Sequence, residues 1–116
     1  VNYRANIAAL KSAGVTDVFA VTAVGGIAPA AGPGRIVVPD QIIDYTWGRE
    51  HTFADGTPDA VDHVDFTAPF TAELRALLLE VAPNAGVELV DGGVYGATQG
   101  PRLETAAEIA RMARDG

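Results

Sequence analysis

The sequence contains no cysteine. That closes off a disulfide scaffold and thiolate metal sites, and it fits a reducing cytoplasm. Basic residues are scarce: 8 Lys and Arg stand against 15 Asp and Glu, giving a net charge of −7. So acidic a chain lacks the positive footprint that nucleic acid or an anionic membrane surface requires. An anion it binds must be met locally, by backbone N–H groups, a helix N-terminus or a few arginines. Long apolar runs are missing, and no stretch reaches the roughly 20 residues of a membrane span. The first residues do not pair a basic start with an apolar core as a secretory signal does. The two histidines, His51 and His63, have no cysteine partners and make a weak basis for zinc. What is present is apolar substance: hydrophobic residues make up 48% of the 116, which allows a buried core and argues against disorder.

Along the chain, residues 2–13 are expected as a helix, with Ile7 and Leu10 as a modest apolar stripe and Gly14 as its stop. Residues 17–22 (DVFAVT) form a short β-rich run suited to a buried parallel strand. The Gly-, Ala- and Pro-rich stretch 23–34 must be a loop. Residues 35–39 and 41–44 suggest a strand region bent by Pro39. The aromatic stretch 45–69 holds both histidines, and a loop of that length is usually functional. Residues 71–81 give an amphipathic helix with Leu74, Leu77, Leu78 and Val81 on one side and Thr71 as N-cap. Residues 87–98 form a strand interrupted by Gly92, Gly93 and Gly96, and residues 104–113 a last helix. This alternation is α/β. Ligands of open α/β sheets bind at the carboxyl ends of strands, which singles out residues 22–27 and 98–105. Val1 does not read as a translation start, and the chain is expected to be an internal part of a single domain, with no boundary within 1–116.

Five segments in collinear order carry a resemblance: VNYRANI (1–7), AVTAVGGI (20–27), DQIIDYTWGREHTF (40–53), DHVDFTAPF (62–70) and GVYGATQGPRLETAAE (93–108). Together they resemble the trimeric nucleoside phosphorylase family, and the first, third and fourth resemble its methylthio-nucleoside branch. The resemblance runs the whole length. It implies an α/β domain around a mixed, partly barrel-like sheet flanked by helices, assembled as a homotrimer. It also implies a cytoplasmic pentosyltransferase of purine salvage. The reaction implied is phosphorolysis of a 5′-methylthio-purine nucleoside: S-methyl-5′-thioinosine and phosphate give hypoxanthine and 5-methylthioribose 1-phosphate. Alternatives are a purine nucleoside phosphorylase acting on inosine and guanosine, a methylthioadenosine phosphorylase, and an inactive truncated subunit serving only assembly. Phosphate is a co-substrate; no cofactor and no metal are implied.

The resemblance assigns residues one by one. Thr22 and Ala23 match the phosphate-contacting pair, where neutral donors can meet a dianion. On sequence alone Thr22 reads equally well as a strand end satisfied by backbone. Ala23, Val24 and Gly25 match the stretch against which the purine lies, small residues allowing the flat base close to backbone. Leu103 takes an aromatic position against the base; leucine there keeps apolar contact and loses stacking. Glu104 matches the glutamate that reads 6-oxopurines, whose N1–H it can accept, whereas adenine N1 is itself an acceptor. Without the resemblance Glu104 reads as a helix-terminal glutamate favoured by the dipole. His63 matches a histidine lent to the 5′ pocket of the neighbouring subunit, with Phe66 and Phe70 as nearby apolar surface. Arg102 reads as structural or as an ion-pair residue. The family's glycine-rich phosphate loop and its leaving-group acid have no match here, so no catalytic residue is assigned to this segment, and the polypeptide alone is expected to be inactive.

Overall fold

The structure is a computed structural model that describes residues 1–54, 56 and 63–116. The segment 62–70 singled out above therefore loses its first residue, Asp62, which lies outside the described residues. The chain divides into two compact units: Val1–Val24 with Trp47–Val64, and Gly25–Thr46 with Asp65–Gly116.

In the first unit, α1 spans Tyr3–Ser12. Asn2 caps it, its side-chain oxygen accepting from the Ala5 N–H at 2.9 Å. The far end closes as the sequence suggests. Gly14 adopts φ 75°, the Val15 N–H reaches the Leu10 carbonyl and the Gly14 N–H the Lys11 carbonyl. This double reach-back satisfies carbonyls the helix leaves open. Arg4 pairs with Glu50 at 3.1 Å, and the Arg49 guanidinium lies 4.9 Å from the centre of the Tyr3 ring, so residues 49 and 50 are held against α1. The strand expected over residues 17–22 is not formed. Val18, Phe19 and Val21 are exposed instead. The apolar composition is there, but a strand exists only through its ladder, and no described segment pairs with this one.

The second unit holds β1 (Ile36–Val38), β2 (Gln41–Asp44), α2 (Ala72–Val81), β3 (Leu89–Asp91), β4 (Val94–Ala97) and α3 (Ala106–Asp115). β1 pairs with β3 and β2 with β4, both in parallel. This is the expected α/β architecture; among the described residues the strands form two open pairs and no closed barrel. The two pairs are one kinked pair in register. Ile36 faces Leu89 and Gln41 faces Val94, the same separation of 53 that links Asp40 to Gly93.

At the kink, Gly92 and Gly93 take φ of 88° and 109°, values that only glycine adopts at little cost. The Gly92 N–H still reaches the Val38 carbonyl at 3.0 Å, and the Asp40 N–H the Gly93 carbonyl at 3.1 Å. The Gly93 N–H donates to Asp40 Oδ1 at 3.0 Å. Arg75 of α2 closes the outer side: it donates to the Pro39 carbonyl at 2.8 Å, the Val38 carbonyl at 3.1 Å and Asp91 Oδ1 at 2.6 Å.

α2 begins where the sequence places it, but the Thr71 side chain makes no capping bond. α3 starts two residues later than expected, with Thr105 as N-cap. Its far end meets the β2–β4 pair. Tyr45 donates to Asp115 at 2.7 Å, Arg111 lies 5.4 Å from the centre of the Tyr45 ring, and a Cβ at Gly96 would touch both Tyr45 and the Met112 sulfur. Bonding to the Asp115 carboxylate raises the Tyr45 pKa. Burial is shallow: among the described residues only Val38 (8% exposed) and Ala82 (7% exposed) are buried. No helix among them is long and apolar enough to cross a membrane.

Candidate functional site

The residues assigned to phosphate and base fall at the two places where strand ends were expected. Thr22, Ala23, Val24 and His63 belong to the first unit; Gly25, Leu103 and Glu104 belong to the second. Residues 22–24 belong to no regular element and are exposed. The Thr22 hydroxyl makes only a long contact of 3.4 Å to the Ala23 carbonyl. Among the described residues its donor capacity is therefore little used. His63 is exposed.

In the second unit, Gly25 has open space where a Cβ would stand, while a Cβ on Gly26 would run into the Ala31 carbonyl. The chain turns back at residues 26–31 through a short 3-10 turn, Pro29–Ala31, and only glycine at 26 permits the approach.

The most fully specified of these stretches is 98–105, which leaves the carboxyl end of β4 and enters α3. Its Gly100–Pro101 bond is cis. Leu103 is 88% exposed, available as an apolar wall; Glu104 is half-buried. A closed set of polar contacts surrounds them. Arg102 grips the Glu108 carboxylate with two donors, at 2.8 and 2.7 Å, and also donates to the Leu103 carbonyl at 3.1 Å. Glu108 accepts from the Thr105 N–H at 2.7 Å, and the Thr105 hydroxyl accepts from the Glu108 N–H at 3.2 Å. This is a reciprocal capping box completed by an arginine fork.

The electrostatics follow the geometry. Bonding from Arg102, then from the Thr105 N–H, lowers the Glu108 pKa to about 2. Bonding to Glu108 raises that of Arg102, with Glu108's charge and, last, the charge of Glu104 adding to it. Arg102 is thus an ion-pair residue, one of the two roles its sequence context allows. Glu108 was not singled out there, although Thr105 followed three residues later by Glu108 at the start of an amphipathic helix is a legible capping signal. Arg75 was missed as well, for its partners lie 36 and 37 residues away.

The His51 Nδ1–H donates to the Arg49 carbonyl, 2.8 Å away. Among the described residues, no three His, Asp or Glu side chains group closely enough to hold a metal ion. A shallow groove beside the Arg35–Glu88 ion pair is lined by Pro29, Ala30 and Pro33 and includes none of the residues assigned to ligand.

A family model described as "Phosphorylase superfamily" matches residues 1–116. The chain is 57% identical over 116 residues to "Probable S-methyl-5'-thioinosine phosphorylase" of Xanthomonas campestris, covering 100% of this chain and 46% of that protein. It is 47% identical over 114 residues to "6-oxopurine nucleoside phosphorylase" of Pyrococcus furiosus, covering 94% of this chain and 43% of that one. Among solved structures, methylthioadenosine phosphorylase from Schistosoma mansoni in complex with tubercidin superposes with a TM-score of 0.89 at 32% identity, covering 100% of this chain and 48% of its own. The chain spans about half the length of the curated relatives it matches.

Proposed function

The chain belongs to the phosphorylase superfamily, and from that premise we propose that it supplies the base-reading part of a purine nucleoside phosphorylase specific for 6-oxopurines, with S-methyl-5′-thioinosine as substrate. The observation that carries this reading is Glu104, set in the loop between the carboxyl end of β4 and the N-cap of α3. An ionised carboxylate accepts the N1–H of hypoxanthine; adenine offers a lone pair there, and anion would face lone pair. A mismatch in which a buried polar group goes unpaired can discriminate by about 10⁴-fold.

In this reading phosphate attacks C1′ of the sugar as the purine leaves, through a transition state of oxocarbenium character stabilised by the anion. By the family resemblance, Thr22 and Ala23 are assigned to phosphate, and Ala23, Val24, Gly25 and Leu103 to the base. His63 reaches the 5′ pocket of the neighbouring subunit in a homotrimer, and phosphate is a co-substrate with no cofactor needed. A relative named for 6-oxopurine nucleosides at 47% identity favours a second reading with the same base preference, on inosine and guanosine. The two readings differ only at the 5′ end.

The test uses a protein of the relatives' length that carries this chain. Phosphate-dependent base release is measured from methylthioinosine, methylthioadenosine and inosine. Methylthioinosine is expected to lead methylthioadenosine in kcat/KM, and Glu104→Gln to erode that lead, since an amide can donate to N1 and accept from the amino group. His63→Ala should raise KM for methylthioinosine more than for inosine. A wild type that prefers methylthioadenosine, or a preference untouched by Glu104→Gln, overturns the base assignment.

A further inference from the structure

The direction of a side chain is set by the φ and ψ of its own residue, that is, by the orientation of the two peptide groups that flank its Cα. At Glu104 both are held, and by the same pair. The peptide before it is gripped at the Leu103 carbonyl, which accepts from Arg102 at 3.1 Å. The peptide after it is gripped at the Thr105 N–H, which donates to Glu108 at 2.7 Å. Arg102 and Glu108 are in turn locked to each other by two bonds of 2.8 and 2.7 Å. The Thr105 hydroxyl ties the assembly to the first turn of α3. A loop residue is thereby given the backbone definition of a residue inside an element.

We infer that Arg102 and Glu108 are positioning residues that set purine specificity by fixing the backbone on both sides of Glu104. This rests on the reading of Glu104 as the base-recognising group and adds a device to it. The pair need not touch the substrate. Its effect falls on the one contact that distinguishes a 6-oxopurine from a 6-aminopurine, and much less on contacts both bases share. Two donors at fixed spacing are needed for the carboxylate while the same guanidinium also serves the Leu103 carbonyl, so a lysine cannot replace the fork.

The experiment measures kcat/KM for methylthioinosine and methylthioadenosine in a protein of the relatives' length carrying this chain, as wild type, Arg102→Lys, Arg102→Met, Glu108→Gln and Glu104→Gln, with Tm recorded for each. Displacement of a recognition group by about 1 Å can cost on the order of 100-fold. Arg102→Lys and Arg102→Met are expected to reduce the ratio of the two kcat/KM values by about 10- to 100-fold, well beyond any common loss. Glu108→Gln should do the same to a lesser degree, because it keeps an acceptor for the Thr105 N–H. Should Arg102→Met fail to fold, Arg102→Lys and Glu108→Gln decide. If the variants lower both substrates by one factor and leave the ratio unchanged, the pair is merely structural and the inference falls while the base assignment stands. If Glu104→Gln itself leaves the ratio unchanged, the base assignment fails and takes this inference with it.

Discussion

Arg75 and Asp91 meet at 2.6 Å across the kink of the parallel strands, one from the middle of α2 and the other from the last position of β3. The same guanidinium takes the carbonyls of Pro39, at the bend, and Val38, which also accepts the Gly92 N–H. Arg75 is only 21% exposed, and hydrogen bonds from a charged donor to sheltered carbonyls contribute about 1.5–3 kcal/mol. Arg75→Met is therefore expected to destabilise a protein of the relatives' length by roughly 2 kcal/mol in urea unfolding, with Arg75→Lys recovering part of it. A change below about 0.5 kcal/mol, the size of an ordinary surface substitution, would show that the kink holds itself.

The acid limb of stability should carry the signature of Glu108. Its pKa falls from 4.5 to about 2 in the folded chain, so the folded state binds its proton less readily than the unfolded state. The contribution is complete above about pH 4.5 and is lost as pH falls towards 2. The stability difference between wild type and Glu108→Gln should accordingly be flat from pH 5 to 8 and shrink below about pH 4.5. A difference that does not move between pH 5 and 3 contradicts the ion pair, as would one that grows on acidification.

Gly25 and Gly26 should respond in opposite ways to the same substitution. Nothing occupies the Cβ position of Gly25, whereas that of Gly26 collides with the Ala31 carbonyl. Gly26→Ala is expected to cost about 1–3 kcal/mol, as overpacking does, visible as a lowered Tm. Gly25→Ala should leave Tm within error yet raise KM for the nucleoside, because the added methyl stands where the base is proposed to lie. Equal Tm losses at both positions would contradict the geometry. An unchanged KM for Gly25→Ala would remove Gly25 from the base-lining set.

Prepared alone, the 116 residues should be only weakly stable. Val38 and Ala82 are buried, while Val21 is 99% and Leu103 88% exposed. A chain that removes so little apolar surface from water has little to set against the conformational entropy of folding. We expect strong binding of a hydrophobic dye and a shallow urea transition. A steep transition with no dye binding would mean that the apolar residues find cover within the chain. In the same preparation, phosphate-dependent release of hypoxanthine from methylthioinosine is expected to be absent.

What the sequence made legible follows the range of the forces involved. α1 with its Gly14 stop and α2 were readable because caps, periodicity and turn glycines act over a few residues. The bend at Pro39 and the breaks at Gly92 and Gly93 were readable for the same reason. The run at residues 17–22 was misread because its composition fits a strand, while the ladder depends on a partner far away in sequence. Arg75 looked like any arginine on the polar side of a helix, since its partners are 16 to 37 residues distant. In the site, Glu104 stood out by its neighbours GPRL, but the clasp around it did not, although the spacing of Thr105 and Glu108 advertises half of it.

The constant separation of 53 between the paired strands has a consequence for how such a chain can change length. Residues added between Tyr45 and α2, or between α2 and β3, alter that number everywhere at once and leave every pairing intact. A residue gained at Pro39–Asp40 or Gly92–Gly93 changes it on one side of the kink only, and turns one strand's side chains over relative to its neighbour. Insertions and deletions are thus tolerated in the connections and barred at the kink, unless both strands gain or lose a residue there together.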